Sequence, residues 1–223
     1  LLAEIRAALV AANVDETHIE KLAAYGAIVL ETNRSFNLTG AKSVAEFVPH
    51  ILDSIAIAPS IRGSLVDIGS GGGLPAIPLA IVTGVSVTMV ETTLKKARFL
   101  EKVLAELGLV GTVVAERAEI AAHDPALREK FATGTARAVS AAPTVAELLL
   151  PFIAIGGQAV LQRGGIDTRE YNALADASLI LGGQVVTQAP KSSKSVIVVE
   201  KKTKTPTKYP RRVGIPAKNP LCF

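Results

Sequence analysis

The chain reads as an α/β protein. Its expected core is a doubly wound, mostly parallel sheet of seven strands. The last two strands form an antiparallel hairpin, and a helical extension precedes the sheet. Three observations carry this expectation. From Ser64 onward, short apolar runs alternate with helical patterns. The first run, Leu65-Val66-Asp67-Ile68, enters a turn with four glycines, Gly69, Gly71, Gly72 and Gly73, and Pro75 opens a helix behind it. The last two runs are joined by residues 190–194, which leave no room for a crossover helix.

The elements follow in order. Residues 1–60 read as helical. Ile19, Leu22, Gly26, Val29 and Leu30 share one helical face, and Ser43-Val44-Ala45-Glu46 has the form of a capping box. The apolar pattern continues over His50–Ile57 and ends at Pro59. Strands are expected near 64–68, 86–91, 110–115, 134–139 and 157–163. Helices are expected near 75–82, 93–107, 124–130, 143–153 and 167–181. The final strands are expected near 183–188 and 195–200. From Thr203 the chain has four prolines and many lysines, and is expected to be extended. The expected division is thus a helical extension at 1–60, a core domain at 61–202 and a basic, Pro-rich tail at 203–223. Seven strands with this ending match the class I methyltransferase architecture.

Composition narrows the class of function. The chain has 223 residues, 49% hydrophobic and 20% charged, enough for one well-cored α/β domain. The apolar stretch 148–161 is interrupted by Pro151, Gly156, Gly157 and Gln158, too broken for a membrane span. The single Cys222 cannot form an internal disulfide, and no secretory leader is visible, so a reducing cytoplasm is expected. His18, His50 and His123 are far apart and offer no metal-ligand spacing. Net charge is +4, unevenly spread. From Lys191 onward nine basic residues face one acid, Glu200, giving +8 there and −4 before it. Either a polyanionic partner touches that end or the segment is a solvated tail.

The glycine turn carries the most chemistry. Strand, glycine turn and helix lay a backbone flat against a nucleoside-bearing cofactor at the carboxyl ends of the strands. A dinucleotide turn, G-x-G-x-x-G, needs glycine where Leu74 stands; this chain has G-x-G-x-G. The shorter turn suits S-adenosylmethionine, which has no pyrophosphate to seat on the helix. A dehydrogenase is disfavoured for the same reason. A non-enzymatic RNA-binding module would not need the turn.

Candidate site residues surround it. Asp67 ends the first strand and can order the turn or approach a methionine amine; a plain turn former is the other reading. Glu91 ends the second strand and can accept hydrogen bonds from ribose hydroxyls. Thr92 and Thr93 follow it, either lining an adenosine pocket or capping the next helix. Ala118 and Glu119 follow the third strand, where an amide and an acid can read an adenine edge. Arg137 interrupts an apolar strand, and either faces the cofactor or makes a structural ion pair. Lys95, Lys96 and Arg98 begin a helix as phosphate contacts or as solvated charges.

Together these residues resemble the bacterial 16S rRNA guanine-N7 methyltransferase family, also called the glucose-inhibited division protein B family. The likeness spans nearly the whole chain. It runs through Asn33-Arg34-Ser35-Phe36-Asn37-Leu38-Thr39, His50-Ile51-Leu52-Asp53-Ser54 and Asp67 to Leu79. It continues in Arg117-Ala118-Glu119, Arg137-Ala138-Val139 and the closing Tyr209-Pro210-Arg211-Arg212-Val213-Gly214-Ile215-Pro216. The resemblance implies S-adenosylmethionine contacts at Gly69, Leu74, Glu91, Thr92, Thr93, Ala118, Glu119 and Arg137, to which the reading of the turn itself adds Asp67, Gly71 and Gly73. It also implies a substrate, a guanine in the decoding region of 16S rRNA or the small subunit, with neither membrane nor metal involved. Another RNA or a small molecule is the alternative methyl acceptor. Two positions depart from the family pattern: Ala76 replaces a common glycine, and Gln162-Arg163-Gly164 stands where Leu-Lys-Gly is usual. Arg137 and Arg163 are the candidates for positioning the guanine.

Overall fold

A computed structural model of the chain describes residues 1–137, 140–187 and 195–223. Seven strands form one sheet: β1 (Leu65–Ile68), β2 (Val87–Val90), β3 (Gly111–Val114), β4 (Phe131–Arg137), β5 (Ile153–Arg163), β6 (Gly183–Val185) and β7 (Ser195–Lys201). Their order is β3-β2-β1-β4-β5-β7-β6, with β7 antiparallel to both neighbours. The order reverses between β1 and β4, so the carboxyl ends of these two strands open a crevice.

Alternation along β1 divides the core. Leu65 faces one apolar cluster, whereas Val66 and Ile68 face the other. The first cluster lies under α1 (Leu2–Ala11), α2 (Glu16–Asn33), α3 (Val44–Ile55), α4 (Ala76–Thr83) and α5 (Leu94–Leu107). The second lies under α6 (Ala118–Ala121), α7 (Ala142–Leu149) and α8 (Thr168–Ile180). Every residue of the expected α2 stripe is buried, and Tyr25 joins it. A fully buried Leu or Ile contributes roughly 1.5–3 kcal/mol. The N-terminal helices are therefore docked on α4 and α5 rather than tethered to them.

Local chemistry sets the helix starts. Asp15 caps α2 by accepting the Thr17 N–H at 2.9 Å. Ser43 accepts the Glu46 N–H at 3.3 Å, and Glu46 reaches back to the Lys42 N–H at 2.8 Å, one residue beyond the reciprocal bond of a capping box.

The elements depart from expectation in four places. The helix expected near 124–130 is absent; a short α6 precedes it and turns follow. Glu129 has φ +55°, and its N–H donates to the Pro151 carbonyl, pulling the chain toward β4. The helix expected over 143–153 stops at Leu149, because Leu150–Phe152 tighten into a 3₁₀ turn around Pro151 and β5 begins at Ile153. β4 begins at Phe131, earlier than expected, and the expected strand residues 138 and 139 lie outside the described residues, as do 188 and the 190–194 connection. The segment after Thr203 is not a free extended tail. It is held against α6 and α7 and contains α9 (Ile215–Lys218).

Candidate active site

The glycine turn sits where β1 ends, and backbone conformation explains its composition. Gly69, Gly71 and Gly73 all have positive φ, at 67°, 56° and 98°. At Gly73 space is also exhausted: a Cβ there would lie 2.6 Å from Ile77 Cγ1. The turn is fastened from three sides. The Gly69 N–H donates to the Val90 carbonyl at 2.8 Å. The Gly71 N–H donates to Glu91 Oε2 at 2.8 Å, while Glu91 Oε1 accepts the Thr93 N–H at 2.8 Å. From α2, the buried Tyr25 hydroxyl donates to the Gly72 carbonyl at 2.9 Å, and burial raises its pKa.

Asp67 is fully buried below this turn. Its Oδ1 accepts the Thr135 hydroxyl at 2.8 Å, whereas Oδ2 has no partner. Burial raises its pKa from 3.8 to about 7, against hydrogen bonds that favour the ionised form. A buried acceptor without a donor, near the carboxyl end of β1, is a position for a ligand donor.

The other sequence candidates are distributed around the crevice. Glu91 is buried and oriented by two amides; each carboxylate oxygen retains a further acceptor site for a hydroxyl. Thr92 and Thr93 are exposed, and Thr93 occupies the N-cap of α5 without a side-chain cap bond, so its hydroxyl is not used for capping. Leu74, half-buried, precedes Pro75 through a cis peptide. Ala118 and Glu119 open α6, where first-turn amides have no intrahelical acceptor. Glu119 Oε1 is engaged elsewhere, accepting the Gly214 N–H at 3.0 Å.

The two arginines differ. Arg137, at the end of β4, donates to His50 Nδ1 at 2.7 Å and to the His50 carbonyl at 3.3 Å on α3. That bond requires the neutral imidazole tautomer with its proton on Nε2. Arg163 donates to the Ser140 carbonyl at 2.6 Å and to Glu170 at 2.8 Å, with Nε buried and unpartnered. Glu170 also accepts the Ala142 N–H at 2.7 Å, so this pair orders the start of α7. Lys95 lies over the Phe36 ring at 4.6 Å. Among the described residues, no three His, Cys, Asp or Glu side chains gather where they could hold a metal ion. No described helix is long and apolar enough to cross a membrane.

Two contributions were given no role by the sequence reading, although Asn33 stands in its family-like motif. One is the Tyr25 bond to the turn. The other is Asn33, whose Oδ1 accepts the Leu38 and Thr39 N–H groups at 2.8 and 3.1 Å while Nδ2 donates to the Thr39 and Ala41 carbonyls at 3.0 and 2.9 Å. This side chain closes the α2–α3 loop. The loop then abuts the turn, since a Cβ on Gly72 would lie 3.4 Å from the Leu38 carbonyl oxygen.

A glycine turn clamped by an acid from the next strand, at the switch point of this sheet order, defines a class I methyltransferase. Solved structures share the fold. A branched-chain polyamine synthase from Thermus thermophilus matches with a TM-score of 0.55 at 14% identity, over 71% of this chain and 57% of that one. A ribosomal protein L11 methylase from Lactobacillus delbrueckii subsp. bulgaricus matches with a TM-score of 0.52 at 15% identity, over 70% and 80%. The family model for rRNA small subunit methyltransferase G matches residues 18–198. Curated proteins of that name are 38% identical in Acetivibrio thermocellus, over 94% of this chain and 91% of the relative, and 39% identical in Roseiflexus castenholzii, over 93% and 94%. The chain belongs to this family of S-adenosylmethionine-dependent methyltransferases.

Proposed function

We propose that this chain methylates nitrogen-7 of a guanine in the decoding region of 16S rRNA, acting in the bacterial cytoplasm. The rRNA substrate is supported by the family match over residues 18–198, and the donor by the buried Asp67 with its unpartnered oxygen, beneath a turn clamped by Glu91. These residues fit S-adenosylmethionine. Asp67 would face the methionine amine, Gly69, Gly71, Gly73 and Leu74 would carry its chain, and Glu91, Thr92 and Thr93 would take the ribose. The amides of Ala118 and Glu119 would read adenine, and Arg137 would border the methyl end. When bound, the cofactor supplies an electrophilic methyl group on a sulfonium.

The protein's remaining task is modest. Guanine nitrogen-7 has a lone pair and no proton, so methylation needs no general base. Consistently, no nucleophile or free base is required beside Asp67. The chain must exclude water and align the base, and alignment supplies on the order of 7–11 kcal/mol. Nitrogen-7 lies on the edge that A-form RNA hides, so the target guanine is unpaired or extruded. Arg137, tied to α3, is our candidate for holding it. Arg163 acts through Glu170 by ordering the start of α7.

The test is methyl transfer to rRNA from a strain lacking this protein, followed by mapping of the modified base. Labelling of a guanine at nitrogen-7 in the decoding region is expected; label elsewhere, or none, overturns the reading. Asp67 supplies a second check. With its pKa near 7, the free site is largely protonated at pH 6 and ionised at pH 8. A cationic amine binds the ionised form, so donor affinity measured by calorimetry rises across that interval. Asp67→Asn flattens the rise and weakens binding about tenfold.

A further inference from the structure

We infer that the concavity between the α2–α3 loop and the start of α5 is a cradle for the RNA backbone flanking the target base. The inference rests on the proposed rRNA substrate and says where that RNA docks. The concavity measures about 750 Å³, larger than one phosphate needs. Its lining includes Asn33, Arg34, Asn37, Thr39, Lys42 and Lys96, and no carboxylate. The three cations come from separate places: the C-cap of α2, the loop, and the first turn of α5. Spaced cations among amide and hydroxyl donors match a run of phosphates better than a single anion.

Two further observations separate this cradle from a chance basic surface. The loop is cross-braced, because Asn33 makes four hydrogen bonds across it. Ordering of the loop therefore does not have to accompany RNA binding. The cradle also adjoins the donor turn on both sides. Leu38 abuts Gly72, and α5, which carries Lys96, begins beside Thr93, whose amide shares Glu91 with Gly71. A strand seated here brings its next nucleotide to the crevice mouth. Arg34 and Lys42 are exposed, and no described acceptor takes their side chains, so both remain available.

The decisive variant is Arg34→Gln with Lys42→Gln and Lys96→Gln, assayed on deproteinised 16S rRNA. KM for RNA rises at least tenfold, and the slope of log KM against log salt falls by roughly two to three. The maximal rate and the donor affinity are retained. The matched control is Lys202→Gln with Lys204→Gln and Lys218→Gln, which removes the same charge from the C-terminal segment and leaves KM within twofold. Unchanged KM and salt slope in the folded cradle variant overturn the proposal, as does an equal effect in the control. The single variants Arg34→Gln and Lys42→Gln give smaller shifts in the same direction should the triple variant not fold. If the wild type methylates no rRNA, the substrate reading fails on its own. The cradle is then judged by filter binding of a short single-stranded RNA, which the variant must bind at least tenfold more weakly.

Discussion

The two flanks of the donor turn differ in how many of their cations bond inward. On the N-terminal flank, Arg34 and Lys42 stand exposed on a loop that Asn33 cross-braces, and Lys96 completes the set from α5. On the C-terminal flank the sequence is far more basic, and Arg211 and Lys201 are turned inward while Lys202, Lys204, Lys208, Arg212 and Lys218 stay exposed. Arg211 forks onto the fully buried Glu147, with Nη2 to Oε2 at 2.7 Å and Nε to Oε1 at 2.9 Å. Lys201, also fully buried, donates to the Leu150 carbonyl at 2.7 Å and to Thr205 Oγ1 at 2.8 Å. Lys202 pairs with Glu200, and Lys208 lies over the Tyr209 ring at 5.2 Å. Arg128, in the turns after α6, donates to four carbonyls, three of them in the C-terminal segment at Thr205, Pro206 and Tyr209. Charge counted along a sequence is therefore a poor guide to charge offered to a partner. On the C-terminal side much of it fastens a strap, whose Gly214 N–H in turn holds Glu119 beside the expected adenine position.

The largest expected effect tests this contrast directly. Arg211→Ala leaves Glu147 buried without its cation, and breaking such a pair costs roughly 3–5 kcal/mol. Urea unfolding should reveal a loss of that size, with no change in the salt dependence of RNA binding. The cradle variant should behave in the opposite way, losing RNA affinity at unchanged stability. If Arg211→Ala kept its stability and lost RNA affinity, the two flanks would have to exchange roles.

Lys201 gives the next effect. Burial outweighs the attraction of Glu129, at 3.3 Å, and lowers its pKa from 10.5 to about 8. Between pH 8 and about 10.5 the unfolded chain therefore binds a proton that the folded chain does not, and stability rises with pH across that window. Lys201→Met strands the acceptors that Lys201 served, costing about 2 kcal/mol at pH 7. It also removes the rise. Urea midpoints measured from pH 7.5 to 10.5 on both proteins check the sign. A parallel rise in the variant would assign the effect to another group.

The same contrast marks what could be read from the residues alone. The alternation of strands and helices, the glycine turn, Asp67 and Glu91 were legible because each is a local pattern at a strand end. The fold followed from them, and the family from the resemblance of motifs along the whole chain. The helix expected near 124–130 was misread because its apolar spacing is local, whereas the Glu129 bond to Pro151 that opposes it is not. Glu119 was singled out by its sequence neighbourhood, but its partner Gly214 lies 95 positions away. Side-chain bonds to distant carbonyls and amides leave no periodicity. For that reason the tail appeared as free charge, and the tie between Tyr25 and Gly72 stayed invisible.

That tie gives the smallest effect and the finest test of how the N-terminal helices serve the turn. Tyr25 and Gly72 are 47 residues apart, and the hydroxyl reaches from α2 to the turn. Tyr25→Phe keeps the ring and its packing against Phe47, at 6.0 Å between centroids, and deletes only the donor. Losing a buried hydrogen bond of this kind costs about 1 kcal/mol. The position of the loss decides its meaning. If Tyr25 only stabilises the helical face, urea unfolding registers it and donor affinity stays constant. If it sets the turn, as the Gly72 carbonyl contact implies, calorimetry gives a three- to tenfold weaker donor affinity, while KM for RNA at saturating donor does not move. The second outcome would make α2 part of the donor site on one side and of the RNA cradle, through Asn33 and Arg34, on the other.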